Sequence, residues 1–352
     1  MTASGITVLG TAAHAAWQRK ELPPVERIDG GLWSVPVPIP DNPLRYTLSY
    51  VVPGDDGVVV VDPGWHDEQT WRALTAGLAA AGAAVTDVVG IVATHVHPDH
   101  HGLSARLKAE SGAWVAMHPA ERNSLPSRVA ARFSGLAEWA DGLRASGVPE
   151  DEIALWVRRF DRPDTPRSWH MAEPDVLLDD GDAVPLPGRR LVTVWTPGHT
   201  PGHICLREPD ARLLLTGDHV LPRITPNVGM QPGSEAPLDG FLESLDKVAE
   251  YDDHDALPAH EYRFRGLAAR VRQLREHHDA RCRELLGVVD EHGALTMWQV
   301  AERMTWSRPW AEVGRMRLAA LAETAAHANH LVGMGELAWE KGKPARIRLA
   351  AV

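Results

Sequence analysis

A chain of 352 residues with 44% hydrophobic and 24% charged residues can bury a sizeable core, which excludes a disordered or fibrous protein, and it is too long for one average domain. Its net charge of −11 excludes nucleic-acid binding driven by the field of the whole molecule, because phosphate backbones attract basic surfaces; a local basic patch stays open. Two cysteines, Cys205 and Cys282, cannot build a disulfide framework and form no Cys-x-x-Cys pair, so a reduced, cytoplasmic setting is expected.

In residues 1–24 the first basic side chains, Arg19 and Lys20, follow the alanine stretch, so no secretory leader is expected, and no run has the length of a membrane span. Residues 44–52 (LRYTLSYVV) alternate and end at Pro53-Gly54, and the valine run at 57–61 stops at Asp62-Pro63-Gly64; together they predict paired strands ending in a loop. Alanine and leucine at helical spacing predict a helix over 70–82, and 88–94 predicts a buried strand that delivers the chain to His95. Strand, helix, strand is the repeating unit of an α/β core. Between about 119 and 173, Trp139, Trp156 and Trp169 are spread among charges and alanines in helical patterns. This segment reads as a helical insertion, serving as a lid or as the surface of a homodimer, or simply pinned to the body by its tryptophans. Strands are expected again at 190–196, 203–206 and 213–216, separated by turns at Pro197-Gly198 and Pro209-Asp210.

Beyond about residue 267 the pattern turns helical, with 270–286 amphipathic, and the chain closes on a strand-like ARIRLAA after Lys341-Gly342-Lys343-Pro344. Helices followed by a short ribbon suggest a small winged-helix-type module over 267–352, appended to a larger domain over 1–266. From residue 266 onward 13 Lys+Arg stand against 10 Asp+Glu, so this part carries +3 and the rest −14; a solvated surface explains that as readily as a binding patch.

Eighteen histidines become informative through their spacing. The segment ATHVHPDHHG follows a buried strand and carries His95, His97, Asp99 and His100 on one loop, and imidazole and carboxylate donors suit zinc and similar divalent ions. One loop cannot complete two coordination spheres. His199 in TPGHTPGH, Asp218 in TGDH and His260 in LPAHE each follow an apolar run, where an α/β sheet places its functional loops. His101 cannot point the same way as His100 and is expected beside the site or in solvent, while His203 and His219 are read as structural. His118, His170, His254, His277 and His278 show no partner pattern and are assigned to surface or packing.

At the motifs VVDPG, THVHPDH, GHTPGH, GDH and AHEY the chain resembles the metallo-β-lactamase superfamily, over about residues 30–265. Within it, the chain is similar to the branch containing glyoxalase II and the lactamase-like proteins with a C-terminal winged helix. The resemblance implies an α/β fold, an αββα sandwich of two mixed sheets flanked by helices. It implies that His95, His97 and His199 hold a first metal, that Asp99, His100 and His260 hold a second, and that Asp218 bridges them. Asp62 would support a ligand, as carboxylates behind ligating imidazoles do. Two divalent cations sharing a hydroxide would lower its pKa and stabilise the oxyanion formed by its attack, with Asp218 and Asp99 as the catalytic carboxylates. Zinc is the expected ion, and iron or manganese would be accepted by the same donors.

Substrate choice lies in the lining. Arg223 and Asn227 in GDHVLPRITPNVG, and Tyr262, Arg263 and Arg265 in HEYRFRG, are candidates to clamp a carboxylate or phosphate, or to pair with the chain's own carboxylates. Trp65 could wall an acyl group or pack. The expected reaction is hydrolysis of an ester or thioester of acyl-CoA type on a small-molecule substrate. Ala259 replaces the usual glycine before the last histidine, and the C-terminal module is not that of glyoxalase II, which sets aside the glutathione substrate. The alternatives are an endoribonuclease or phosphodiesterase on single-stranded RNA, a β-lactam hydrolase, and a non-catalytic DNA-binding regulator.

Overall fold

The computed structural model describes residues 5–125, 136–160, 171–229 and 236–350. Trp169 and His170 lie outside these residues. Seven strands form one sheet in chain order, from Glu26–Arg27 through Trp33–Pro38, Tyr46–Pro53, Val58–Val61, Val88–Val92 and Trp114–Met117 to Val176–Leu177. A second sheet of six runs Thr7–Val8, Phe264–Arg265, Asp255–Pro258, Leu213–Gly217, Ile204–Glu208, Val192–Trp195. Both sheets are mixed: Val58–Val61, Val88–Val92 and Trp114–Met117 are parallel neighbours, as are Leu213–Gly217 and Asp255–Pro258, and the remaining pairs are antiparallel except that closing Val176–Leu177.

The valine run explains why this is a sandwich. Val59 and Val61 face inward, in one buried cluster with Tyr46, Leu48 and Val92 of their own sheet and Ile204, Leu206, Leu213, Leu215 and Leu257 of the other. Val58 and Val60 face outward, against Trp71, Leu74 and Leu78 of the helix Glu68–Ala80 and Leu107 of Ser104–Ser111. A strand buried on both faces has no polar side to alternate with, so it reads as a continuous apolar run. Asp67 caps the helix Glu68–Ala80 by accepting from the amides of Gln69 and Thr70. On the outer face of the second sheet, Phe241, Leu245 and Val248 of Pro237–Ala249 bury against Leu267, Val271 and Leu274. Helices therefore cover both outer faces, and the loops at the ends of the central strands remain open to build a site.

The helix Leu267–His292 belongs to both parts of the chain. Its first half packs on the second sheet's helix, and Leu285 and Val289 pack with Leu295, Met297, Leu331 and Ile347 of the C-terminal unit. That unit continues through Met297–Arg303 and Arg317–Gly333 to an antiparallel hairpin, Leu337–Glu340 with Arg346–Leu349. In the 119–173 segment, Leu136–Ala145 and Glu150–Phe160 are helical, and they lie against the C-terminal unit. Trp156 is buried with its ring 6.2 Å from that of Trp298, and Arg317 ion-pairs with Glu152. Among the described residues no helix is long and apolar enough to cross a membrane.

A second histidine pair is buried between these helices. His278 Nδ1 lies 3.0 Å from His327 Nε2, and His327 Nδ1 donates to the Glu323 carbonyl. Burial pushes both imidazoles below the usual histidine range, and His327 further disfavours a charge on His278. Between the lowered folded value and the ordinary one, the unfolded chain takes up protons that the folded chain refuses. Stability present above about pH 6.5 is therefore lost as the pH falls, at about 1.4 kcal/mol per pKa unit of displacement. His327→Gln is expected to flatten urea-unfolding stability against pH between 7 and 4.5 by at least that much; parallel curves for the two proteins would refute this origin.

Candidate metal centre

The seven sequence-predicted ligands converge at one end of the sandwich. His95 and His97 follow Val88–Val92, and Asp99 and His100 lie on the short helix Pro98–His101, which Pro98 opens. His199 sits between Val192–Trp195 and Ile204–Glu208, Asp218 directly follows Leu213–Gly217, and His260 follows Asp255–Pro258. His95 Nε2 is 2.9 Å from His97 Nδ1, and His199 Nε2 is 3.0 Å from the same atom. On the other side His260 Nε2 is 3.5 Å from Asp99 Oδ2, which is 3.7 Å from His100 Nε2. Asp218 touches both groups: Oδ2 lies 3.6 Å from His100 Nε2 and 3.7 Å from His199 Nε2, and Oδ1 lies 3.2 Å from His260 Nε2.

Bonds behind the rings settle which nitrogens face inward. His100 Nδ1 donates to Asp62 Oδ2 at 2.9 Å, His199 Nδ1 to the Asn227 carbonyl at 2.7 Å, and His260 Nδ1 to the Tyr46 carbonyl at 2.9 Å. Thr94 Oγ1 donates to Asp62 Oδ2, so it accepts from His95 Nδ1 at 3.0 Å. Each of these four rings therefore turns its Nε2 to the centre, as a bare lone pair wherever the ring is neutral. The lone pairs of His95 and His199 are both aimed at His97 Nδ1, which has at most one proton to share between them, and a cation among the three nitrogens would take all three lone pairs. His100 Nε2, His260 Nε2 and Asp218 Oδ1 are moreover buried without a hydrogen-bond partner. Three triads, His95–His97–His199, His95–His100–Asp218 and Asp99–His100–His260, bring one donor atom each within 4.8 Å of one another, and the donor chemistry fits a divalent cation.

The electrostatics point the same way. Burial holds His95, His97 and His199 below the usual imidazole range, in the neutral form that ligates. Burial also pulls on His100 and His260, but the carboxylates of Asp218 and Asp99 outweigh it and raise both. Burial would raise Asp218, and the His260 and His100 imidazoles hold it well below the carboxylate range instead. The carboxylates of Asp99 and Asp218 thus demand positive charge at the centre, which protons or bound cations can meet.

Several supporting residues escape a reading of the sequence. Glu121, on the helix Pro119–Asn123, is fully buried; its Oε1 accepts from Val96 N at 2.6 Å and its Oε2 from Thr200 Oγ1 and Gly202 N at 2.9 Å each. One carboxylate thereby ties the His95–His97 loop to the His199 loop, although burial pushes its pKa up to about 7. Gly202 is glycine because a Cβ would stand 2.2 Å from Glu121 N. His203 accepts from the Asp218 amide through Nε2 at 3.1 Å, and Gly217 (φ 49°) leaves room where a Cβ would stand 2.6 Å from that nitrogen. Thr47 Oγ1 donates to the Asp99 carbonyl at 2.9 Å. Asp62 (φ 54°) and Glu261 (φ 69°) adopt left-handed backbone without being glycine, and both flank the ligand shell. His101 faces neither the centre nor solvent: it is fully buried, with Nε2 bonded to the Ala172 carbonyl.

The candidate substrate residues divide. Arg223 is exposed at the rim, its guanidinium carbon 4.1 Å from the Trp17 ring and Nη1 3.7 Å from Glu261 Oε1. Asn227 serves His199 through its main chain, while its Nδ2 lies 3.5 Å from the Ala319 carbonyl. Tyr262 is buried against the rings of His14 and Trp17. Arg263 pairs with Glu26 at 3.1 Å, and Arg265 with Asp255 at 2.6 Å. Trp65 is half-buried on the loop after Asp62.

Comparison with known proteins agrees with this geometry. Residues 42–260 match the family model of the metallo-beta-lactamase superfamily. The chain is 32% identical over 185 residues to the acyl-coenzyme A thioesterase MBLAC2 of Gallus gallus, and 31% identical over 181 residues to the beta-lactamase-like protein 2 homolog of Caenorhabditis elegans. These matches cover 49% and 51% of this chain and 56% of each relative's own length. Among solved structures, a metallo-beta-lactamase family protein from Thermus thermophilus superposes with a TM-score of 0.69 at 31% identity, covering 91% of this chain and 99% of its own. A beta-lactamase domain protein from Burkholderia ambifaria gives 0.73 at 25% identity over 97% and 98%. With the matched domain spanning all seven candidate ligands from His95 to His260, the chain belongs to the metallo-beta-lactamase superfamily and is a hydrolase of that kind.

Proposed function

We propose that this hydrolase is dinuclear and cleaves a thioester of the acyl-coenzyme A type. The observation that carries the reading is the paired convergence of donors: His95, His97 and His199 on one side, Asp99, His100 and His260 on the other, with Asp218 against both. In this reading each triad would hold one cation, with Asp218 between them. Zinc suits the donor set, and iron or manganese would be accepted. When bound, the two ions supply Lewis acidity and bring a water's pKa towards neutrality. The chain's own residues do the rest. Asp99, beside its part in holding an ion, would steer the attacking water; Asp62 and the carbonyls of Asn227 and Tyr46 keep the Nδ1 protons of His100, His199 and His260 turned away; Arg223 at the rim would meet a charged part of the substrate.

The thioester is favoured by the MBLAC2 relative, which is named as a thioesterase, and by the AHEY motif around His260. We read the C-terminal unit as winged-helix-like from its three helices and hairpin, and we place the protein in the cytoplasm because both cysteines are buried and free. Metal quantification followed by acyl-CoA, lactone, phosphodiester and β-lactam substrates on one preparation tests the whole reading. Two ions per chain and preferred turnover of acyl-CoA are expected. One ion per chain, or turnover confined to phosphodiesters or β-lactams, would overturn it.

A further inference from the structure

The segment 219–229, which follows Asp218, forms neither strand nor helix. It nevertheless supplies the Asn227 carbonyl that holds His199 Nδ1 at 2.7 Å, and it carries Arg223 to the rim. We infer that Arg270 and the side chain of Asn227 are positioning residues: they tie this segment to the helices Leu267–His292 and Arg317–Gly333, and through it they set the imidazole of His199 in the first triad. The inference rests on the reading that this triad binds a cation and is independent of the substrate.

Arg270 is the main observation. Only 6% exposed, it donates from Nε to the Leu221 carbonyl at 2.7 Å and from Nη2 to the carbonyls of Arg223 at 2.9 Å and Ile224 at 2.8 Å. Its Nη1 donates to Gln273 Oε1 at 3.0 Å, which fixes the plane of the guanidinium. An irregular segment has no ladder to take up its carbonyls, and a buried planar cation replaces one by gathering three of them. A lysine ammonium in that place is a single point and cannot span the same three acceptors. The far end of the segment is held from the other helix. Asn227 Nδ2 lies 3.5 Å from the Ala319 carbonyl, and the same side chain hydrogen-bonds the Glu323 carboxylate, both on Arg317–Gly333. Val228 is buried in one cluster with Leu274, Leu321 and Ala326. At Gly229 (φ 91°) a Cβ would stand 3.1 Å from both the Ala322 carbonyl oxygen and Ala326 Cβ.

His199 differs in this from the other three rings that have a bond behind them. His95 leans on Thr94, His100 on Asp62 and His260 on Tyr46, residues in or directly after strands of the first sheet. His199 leans on the irregular segment, whose carbonyl is only as well placed as Arg270 and Asn227 make it. The C-terminal unit therefore takes part in the centre. No residue from 317 to 332 is exposed, so the helix Arg317–Gly333 is the packed middle of that unit, with the His199 support on one of its faces.

The test uses the full-length wild type, Arg270→Lys and Asn227→Ala. Each is titrated from the metal-free state with cobalt(II), and exchange of the His199 Nδ1 proton is followed by NMR on the metal-free, histidine-labelled chain, with His199→Gln to assign the signal. Both variants are expected to weaken one of the two cobalt equivalents by about tenfold to a hundredfold, the cost of disturbing a group behind a ligating imidazole, and to leave the other unchanged. The His199 proton, shielded in the wild type by its 2.7 Å bond, should exchange faster in both. Unchanged cobalt affinity with unchanged exchange would overturn the inference, as would equal weakening of both equivalents with the His199 proton still protected, the mark of a merely structural role. A wild type that binds one ion or none would sink the dinuclear reading instead, and proton exchange would still decide the part played by Arg270 and Asn227. Asn227 is half-buried, so its variant keeps the test informative if Arg270→Lys folds poorly.

Discussion

Asp218→Ala is expected to lower hydrolysis by about a thousandfold or more, the scale of removing a preorganised charge from a reacting centre, and to release metal while the chain stays folded. Asp218 is a carboxylate that meets imidazoles from both triads, through Oδ2 to His100 and His199 and through Oδ1 to His260. Its loss separates the triads and leaves His100 and His260 without the carboxylate that does most to raise them. The main chain survives the change because His203 still accepts from the amide at position 218, and Gly217 still provides the space. Circular dichroism, metal analysis and turnover on the same sample separate these effects. A folded, metal-free Asp218→Ala protein with full activity would contradict the mechanism. Asp218→Asn keeps the shape but halves the donor capacity and removes the charge, so its activity should fall nearly as far.

The convergence of the candidate ligands was legible in the sequence because the His95–His100 loop, His199, Asp218 and His260 each follow an apolar strand within a short motif, so local order carries most of that information. The valine run 58–61 was equally legible, since burial on both faces leaves no other pattern. Trp33–Pro38 was not, because Pro36 and Pro38 argue against a strand. The short partner Glu26–Arg27 covers only Trp33 and Ser34, which leaves the prolines where the ladder needs no donor on that side. The clamp candidates show a different limit. Position after a ligand says that Arg263 and Asn227 are near the site, but not which way they turn; Arg263 meets Glu26, which lies 237 residues away in the chain.

Glu121 is the extreme case of this non-local information, since its three donors come from positions 96, 200 and 202. Nothing in the sequence HPAERN marks the residue as different from a surface glutamate on a short helix. Removing it leaves the Val96 and Gly202 amides and the Thr200 hydroxyl buried without an acceptor. Leaving a buried donor without an acceptor costs about 1–3 kcal/mol, and Glu121→Ala orphans three of them, so it should lower the unfolding free energy measured in urea by about 3–5 kcal/mol and loosen both candidate ligand loops together. Glu121→Gln separates charge from shape. Its single carbonyl oxygen can accept on one side only, and its amide then opposes the donors on the other, so a smaller loss of about 1–3 kcal/mol is expected. Thr200→Val removes one bond of the three and should cost about 1 kcal/mol. The ordering Ala, then Gln, then Thr200→Val, with metal content falling in the same order, is what a carboxylate strut between the loops requires. A Glu121→Ala protein within about 1 kcal/mol of the wild type and fully loaded with metal would mean that the two loops hold their geometry without it, leaving the strands beneath them as the sole source of the ligand arrangement.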